Sequence, residues 1–165
     1  MRYCVTRRAV TPLGAWGHRF LIADESGTLR YRVGDRYRPL AATAIFRDAA
    51  GTPLLQLKLR HLLLGGGYFI LREAEDELSG SIQVQRDLTV EGPELTIRAP
   101  DELDLVGSLA QHEYYLVRRD RMVVYVSRRW CAHKRHTYGV DVVEGEDEPL
   151  QLAIVLALDM LFLYE

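Results

Sequence analysis

Residues 150–164 read LQLAIVLALDMLFLY, and the apolar side chains in this run follow neither a two-residue alternation nor one helical stripe. Pro149 precedes it, behind the acidic residues Glu144, Glu146, Asp147 and Glu148. Proline at a first helical position and carboxylates at the positive end of the helix dipole predict a helix over about 149–164. A helix that is apolar on every side has to be enclosed. Lipid and protein are the two enclosures, and length separates them: at ~1.5 Å per residue the run spans about 22 Å, whereas a bilayer core is ~30 Å thick and takes about 20 residues. Asp159 within the run would add about 2.5–3.5 kcal/mol to the cost of insertion. The run is therefore expected inside the protein's own fold. At ~1.5–3 kcal/mol per buried large apolar side chain, it would be the main source of stability.

The material to enclose it lies in residues 2 to about 143, a series of short runs rich in Val, Ile, Leu, Tyr and Phe separated by turn residues. That pattern predicts an antiparallel, mainly β domain. Phe20–Ala23 leads into the turn Asp24-Glu-Ser-Gly27, after which Leu29, Tyr31 and Val33 alternate with Arg30 and Arg32. The device returns 24 residues later: the turn Asp48-Ala-Ala-Gly51, then Leu55, Leu57 and Leu59 alternating with Gln56, Lys58 and Arg60. An Asp opening the turn and a Gly in the left-handed position suit a type I turn followed by a bulge. A third hairpin is expected from Tyr68–Arg72 and Ser81–Arg86 around the acidic tip 73–77, and a fourth from Tyr114–Arg118 and Met122–Arg128. Such a meander must curl and close, since a flat sheet leaves its edges unpaired. One domain over 1–165 is expected, a barrel over about 2–143 around the helix.

A chain of 165 residues buries roughly 70% of its unfolded surface and needs no metal or disulfide to fold. Cys4 and Cys131 are the two cysteines, with no C-x-x-C pair, and reduced thiols are the expectation. Residues 1–17 lack an uninterrupted apolar run, so no secretory leader is read there and a cytoplasmic location is expected. The net charge of −2 is uneven: residues 1–72 hold 12 Lys or Arg against 4 Asp or Glu, and residues 73–165 hold 9 against 19. Either the basic half presents a surface to an anionic partner, or the halves neutralise each other in the fold. Lys58 and Lys134 are the only lysines, a bias that fits GC-rich coding.

Ser127-Arg-Arg-Trp130, then Thr137-Tyr-Gly-Val-Asp141, an acidic stretch and Leu152-Ala-Ile-Val-Leu-Ala-Leu-Asp159 resemble the C-terminal signature of the LURP-one-related proteins. Arg2-Tyr3, Arg7-Arg8, His18-Arg-Phe20 and Asp24-x-x-Gly27 are similar to that family's opening hairpins. The resemblance covers essentially the whole chain. It implies the fold shared with the Tubby C-terminal domain and the phospholipid scramblases, a closed antiparallel barrel of about twelve strands threaded by a hydrophobic C-terminal helix. The loop 131–136 departs from the aromatic, glycine-containing loop usual there.

No G-x-S-x-G elbow, H-E-x-x-H or Rossmann glycine pattern occurs, and no catalytic role, metal or cofactor is assigned. Cys131, His133 and His136 lack a fourth ligand at a zinc spacing and read as part of a solvated basic loop. Gly65-Gly-Gly67 lacks the Lys and Ser/Thr of a phosphate loop and reads as a turn. His18, His61 and His112 stand alone. Asp159 is expected buried in a structural role, satisfied by an arginine or by backbone amides; Asp24, Gly27, Asp48, Gly51, Trp130, Tyr138 and Gly139 are the other structural candidates. Functional promise rests with arginine, which grips phosphate through two N–H groups. One group is Arg30, Arg32, Lys58 and Arg60; the other is Arg128, Arg129, Lys134 and Arg135. The expected partner is an anionic phospholipid headgroup at a membrane surface, met without a transmembrane span. The alternative is a protein partner contacting loops such as 72–80 and 130–136. A pI of 6.2 argues against nucleic acid.

Overall fold

Twelve strands form the wall. They are β1 (Arg2–Arg8), β2 (Arg19–Asp24), β3 (Leu29–Asp35), β4 (Thr43–Asp48), β5 (Pro53–Leu62), β6 (Gly65–Arg72), β7 (Leu78–Arg86), β8 (Pro93–Arg98), β9 (Glu102–Ser108), β10 (Glu113–Arg118), β11 (Arg121–Ser127) and β12 (Thr137–Val142). The computed structural model describes residues 1–8, 19–35, 43–62, 65–72, 78–86, 93–131 and 136–162, with backbone only at some strand ends. Every neighbouring pair is antiparallel and consecutive in sequence, and β1 pairs with β12 to close the barrel. The core-facing row includes Tyr3, Val5, Phe20, Ile22, Val33, Phe46, Leu55, Leu57, Ile70, Ile82, Ile97, Leu116, Val126 and Val140. The closed barrel with a C-terminal helix is the architecture expected from the sequence.

The helix α1 (Glu148–Phe162) runs through the middle, and every residue from Leu150 to Met160 is buried. It starts one residue before the expected first position. Asp147 caps it, accepting the Leu150 amide at 3.2 Å, which makes Glu148 the first helical residue and Pro149 the second. Gly80 in β7 makes room: a Cβ there would lie 3.1 Å from Leu150 Cδ1 and 3.5 Å from Ile154 Cδ1. Among the described residues no helix is long and apolar enough to cross a membrane.

The repeated turns have their expected backbone. Gly27 and Gly51 take φ of +82° and +99°, and each hairpin carries a register shift beside the turn, at Ile22/Ala23 and Phe46/Arg47. The β10–β11 turn is different: Arg119 and Asp120 both have positive φ, the two-residue geometry that suits the twist of a hairpin.

Two expectations are corrected here. Gly65–Gly67 is not a turn but the start of β6, paired with both β5 and β7. A Cβ on Gly67 would stand 2.2 Å from the Ile82 carbonyl oxygen, so this glycine answers a close backbone approach. Cys4 and Cys131 are not reduced thiols but form a disulfide, across a sequence separation of 127. β1–β12 pairing sets Cys4 opposite Gly139, and the 3-10 helix Arg128–Cys131 carries Cys131 back across β12 to meet it.

Candidate functional site

β3 alternates about the barrel wall, so Tyr31 and Val33 face the core while Arg30 and Arg32 stand exposed outside. Its neighbour β4 brings a residue not singled out in the sequence: Arg47 lies directly opposite Arg32. The signal was available, since Arg47 alternates with Phe46 just before the Asp48 turn, but the pairing of β3 with β4 had to be known to use it. Like charges directly opposite on one face disfavour the pair. Arg32 donates Nη2–H to the Ala49 carbonyl at 2.6 Å, and among the described residues Arg30, Arg32 and Arg47 have no carboxylate within ion-pair distance.

The nearby acids are turned into their own turns. Asp24 Oδ1 accepts the Ser26 hydroxyl at 2.6 Å and the Ser26 and Thr28 amides at 3.0 Å, and the hydroxyl bond leads the effects that hold its carboxyl below the usual range. Asp48 Oδ1 accepts the Thr52 amide at 2.8 Å, the largest influence lowering it likewise. The three guanidinium groups share an outer face near the end of the barrel where α1 enters, with the Asp24 carboxylate close enough to Arg30 to be stabilised by its charge.

The rest of the two predicted basic groups does not join it. Lys58 is half-buried on β5, opposite Thr43 and Phe69. Arg60 is in β5 by its backbone, and its side chain falls outside the described residues, as do Lys134 and Arg135 entirely. Arg128 and Arg129 are exposed in the 3-10 helix at the opposite end of the barrel, with Arg129 Nε 3.6 Å from Glu113. The basic and acidic halves of the chain do meet elsewhere, at Arg2–Asp141 (3.3 Å) and Arg72–Asp147. The two halves therefore neutralise each other locally at these places.

At the far end of α1, Asp159 is held by two side chains, and neither is the arginine or backbone amide expected. His112 donates Nε2–H to Oδ1 at 2.9 Å, and the Tyr138 hydroxyl reaches Oδ2 at 3.4 Å. His112 also stacks on Tyr138 with ring centroids 4.5 Å apart. Burial, then the Asp159 charge, pushes the Tyr138 and Tyr114 hydroxyls well above their ordinary range. His112, which stands alone in sequence, reaches this position through the left-handed turn (φ 51°) between β9 and β10. The cluster supplies hydrogen-bond partners to both oxygens of a buried acid and ties the helix end to the wall.

The sequence signature has a structural account here. Trp130 lies over Gly139 on the outside of β12, where a Cβ would come within 2.8 Å of the indole. Tyr125 meets Trp130 edge-on at 4.7 Å, Arg2 covers its ring at 4.9 Å, and Asp141 binds Arg2. At the entry end, the Tyr3 hydroxyl donates to Glu148, and Arg118 grips Glu146 at 2.9 Å through both carboxylate oxygens.

The LURP-one-related family model matches residues 6–159. Among curated proteins, none matches. The crystal structure of an Arabidopsis thaliana protein superposes with a TM-score of 0.61 at 16% identity, covering 96% of this chain and 91% of that one, a likeness of fold. With the family model spanning nearly the whole barrel and its helix, the chain belongs to the LURP-one-related family.

Proposed function

We propose that this barrel is a non-catalytic module that binds anionic phospholipid headgroups at a membrane surface through Arg30, Arg32 and Arg47. The observation carrying this is the direct opposition of Arg32 and Arg47 beside Arg30, with the neighbouring Asp24 and Asp48 engaged in their own turns. An arrangement that repels itself in the free protein is relieved by phosphate oxygens, each accepting charge-assisted N–H bonds. α1, enclosed by the wall, supplies rigidity and stays out of the lipid.

The test is co-sedimentation with vesicles of phosphatidylserine in phosphatidylcholine against phosphatidylcholine alone. At about 1 kcal/mol per basic residue near an anionic surface, converting Arg30, Arg32 and Arg47 to Glu lowers binding by at least about 100-fold. Binding to the anionic vesicles weakens as salt rises. Equal binding to both vesicle types, or an unchanged triple variant, sinks the reading. The expected cytoplasmic location stands against the Cys4–Cys131 disulfide, a bond that reducing cytosol keeps open. Thiol trapping in rapidly quenched cells decides between them.

A further inference from the structure

The barrel wall is not uniformly stitched. Eleven of its twelve seams hold four to eight register pairs, whereas β8 and β9 are joined by two, Ile97↔Leu103 and Arg98↔Glu102. Beyond Leu103, the stretch 104–108 of β9 pairs with β10 on one side and, among the described residues, has no strand partner on the other. β8 behaves alike: residues 93–96 pair with β7 alone. The inner side of the gap is filled by Leu95 and Leu105, which pack against the core. Among the described residues, what stays open is therefore a backbone edge and not a passage to the interior.

The outer row of this edge has a definite chemistry. Glu102 and Asp104 are exposed, next to exposed Asp101 in the turn; exposed Arg98 stands directly opposite Glu102, and none of the three acids is within ion-pair distance of a base among the described residues. Further along stands Val106, 50% exposed, directly opposite Tyr115, itself 41% exposed. Tyr115 in turn rests on Tyr125 at 5.0 Å. An exposed strand edge is a template for an added strand, because its free N–H and C=O groups are matched only by another extended backbone. Neither a lipid headgroup nor a sugar satisfies that spacing.

We infer that the edge of β9 from Asp104 to Ser108 is a docking site for an extended peptide segment of a partner protein, one carrying Lys or Arg beside Asp104 and an apolar side chain beside Val106 and Tyr115. The partner completes the seam by β-strand addition. The backbone supplies the bonding, Asp104 selects a basic residue, and the Val106–Tyr115 footing sets its register. This site is five strands round the barrel from the β3–β4 arginines, so it stands independently of the membrane reading.

The probe is the capped peptide Lys-Val-Arg-Val-Lys-Ile, titrated into the whole protein and followed by amide hydrogen exchange. In the free protein the amides of residues 104–108 on the β8-facing edge exchange fast, and the peptide protects them. A peptide with N-methyl groups on its pairing edge loses binding, as does the acidic analogue Glu-Val-Asp-Val-Glu-Ile. The exposed change Asp104→Lys, outside the two β8–β9 pairs, leaves the fold intact and weakens binding by about tenfold or more. The Arg30, Arg32 and Arg47 to Glu variant binds the peptide as the parent does. Amides already protected without peptide, equal binding of the N-methylated peptide, or binding indifferent to the charge reversal each overturns the proposal.

Discussion

Asp159 shows how a side chain that belongs in water is kept in the middle of an apolar helix. It is 7% exposed, and its two oxygens are taken by His112 and Tyr138. Replacing His112 by Ala leaves one buried oxygen without its donor and is expected to cost about 1–3 kcal/mol. Asp159→Asn, which retains polar contacts to both, costs less; urea unfolding of both variants checks the order. Gly139 is the second such residue. Gly139→Ala pushes a methyl group into Trp130 and is expected to destabilise by about 1–3 kcal/mol, an effect that shrinks when Trp130 is also Ala. Three carboxyls set the response to acid. Asp24, Asp48 and Glu113 are held below their ordinary range by hydrogen bonds from the Ser26 hydroxyl, the Thr52 amide and the Ser127 hydroxyl. A depressed folded-state value means that the stabilisation is present above the unfolded value, about 4, and is lost as pH falls through the lower folded value. Thermal unfolding from pH 6 to pH 2 should show this fall, and Asp24→Asn with Asp48→Asn should flatten it.

The hairpins and the helix differ in how much of their geometry is local. Asp24-x-x-Gly27 and Asp48-x-x-Gly51 carry their turn type in their own chemistry, an aspartate that accepts amide protons and a glycine at positive φ. The Arg119-Asp120 turn advertises itself less, since Asp120 tolerates positive φ but Arg119 does not favour it; there the flanking strands impose the conformation. α1 begins where Asp147 caps it, and Asp147→Ala should cost about 1 kcal/mol, read from the midpoint of denaturant unfolding. The 3-10 helix is tied to β1 by the disulfide. Its closed loop is long, so reduction, or Cys4→Ser with Cys131→Ser, should lower stability by about 2–5 kcal/mol, measured as a shift in Tm with and without reductant.

Closure gives the molecule its arrangement of surfaces. β1 and β12, at opposite ends of the sequence, pair edge to edge, and α1 returns through the cylinder they complete. Leu156 is fully buried in the helix; Leu156→Ala should cost about 2–5 kcal/mol, and calorimetry checks it against a milder change at half-buried Leu161. Closure also sends the basic residues apart. Arg30 and Arg32 meet Arg47 at the entry end, while Arg128 and Arg129 stand at the other.

Periodicity, turn chemistry and the length of residues 150–164 were enough to specify strands, hairpins and an enclosed helix, because each is governed by neighbours a few residues away. The signature around Trp130, Gly139 and Asp159 was visible as a pattern but not as contacts. His112 against Asp159, Cys4 against Cys131, Arg47 beside Arg32 and the thinly paired β8–β9 seam all depend on which strands lie next to each other and in what register. Those relations arise from closing the sheet, a long-range event that brings together residues up to 145 positions apart and leaves no periodic trace in the chain.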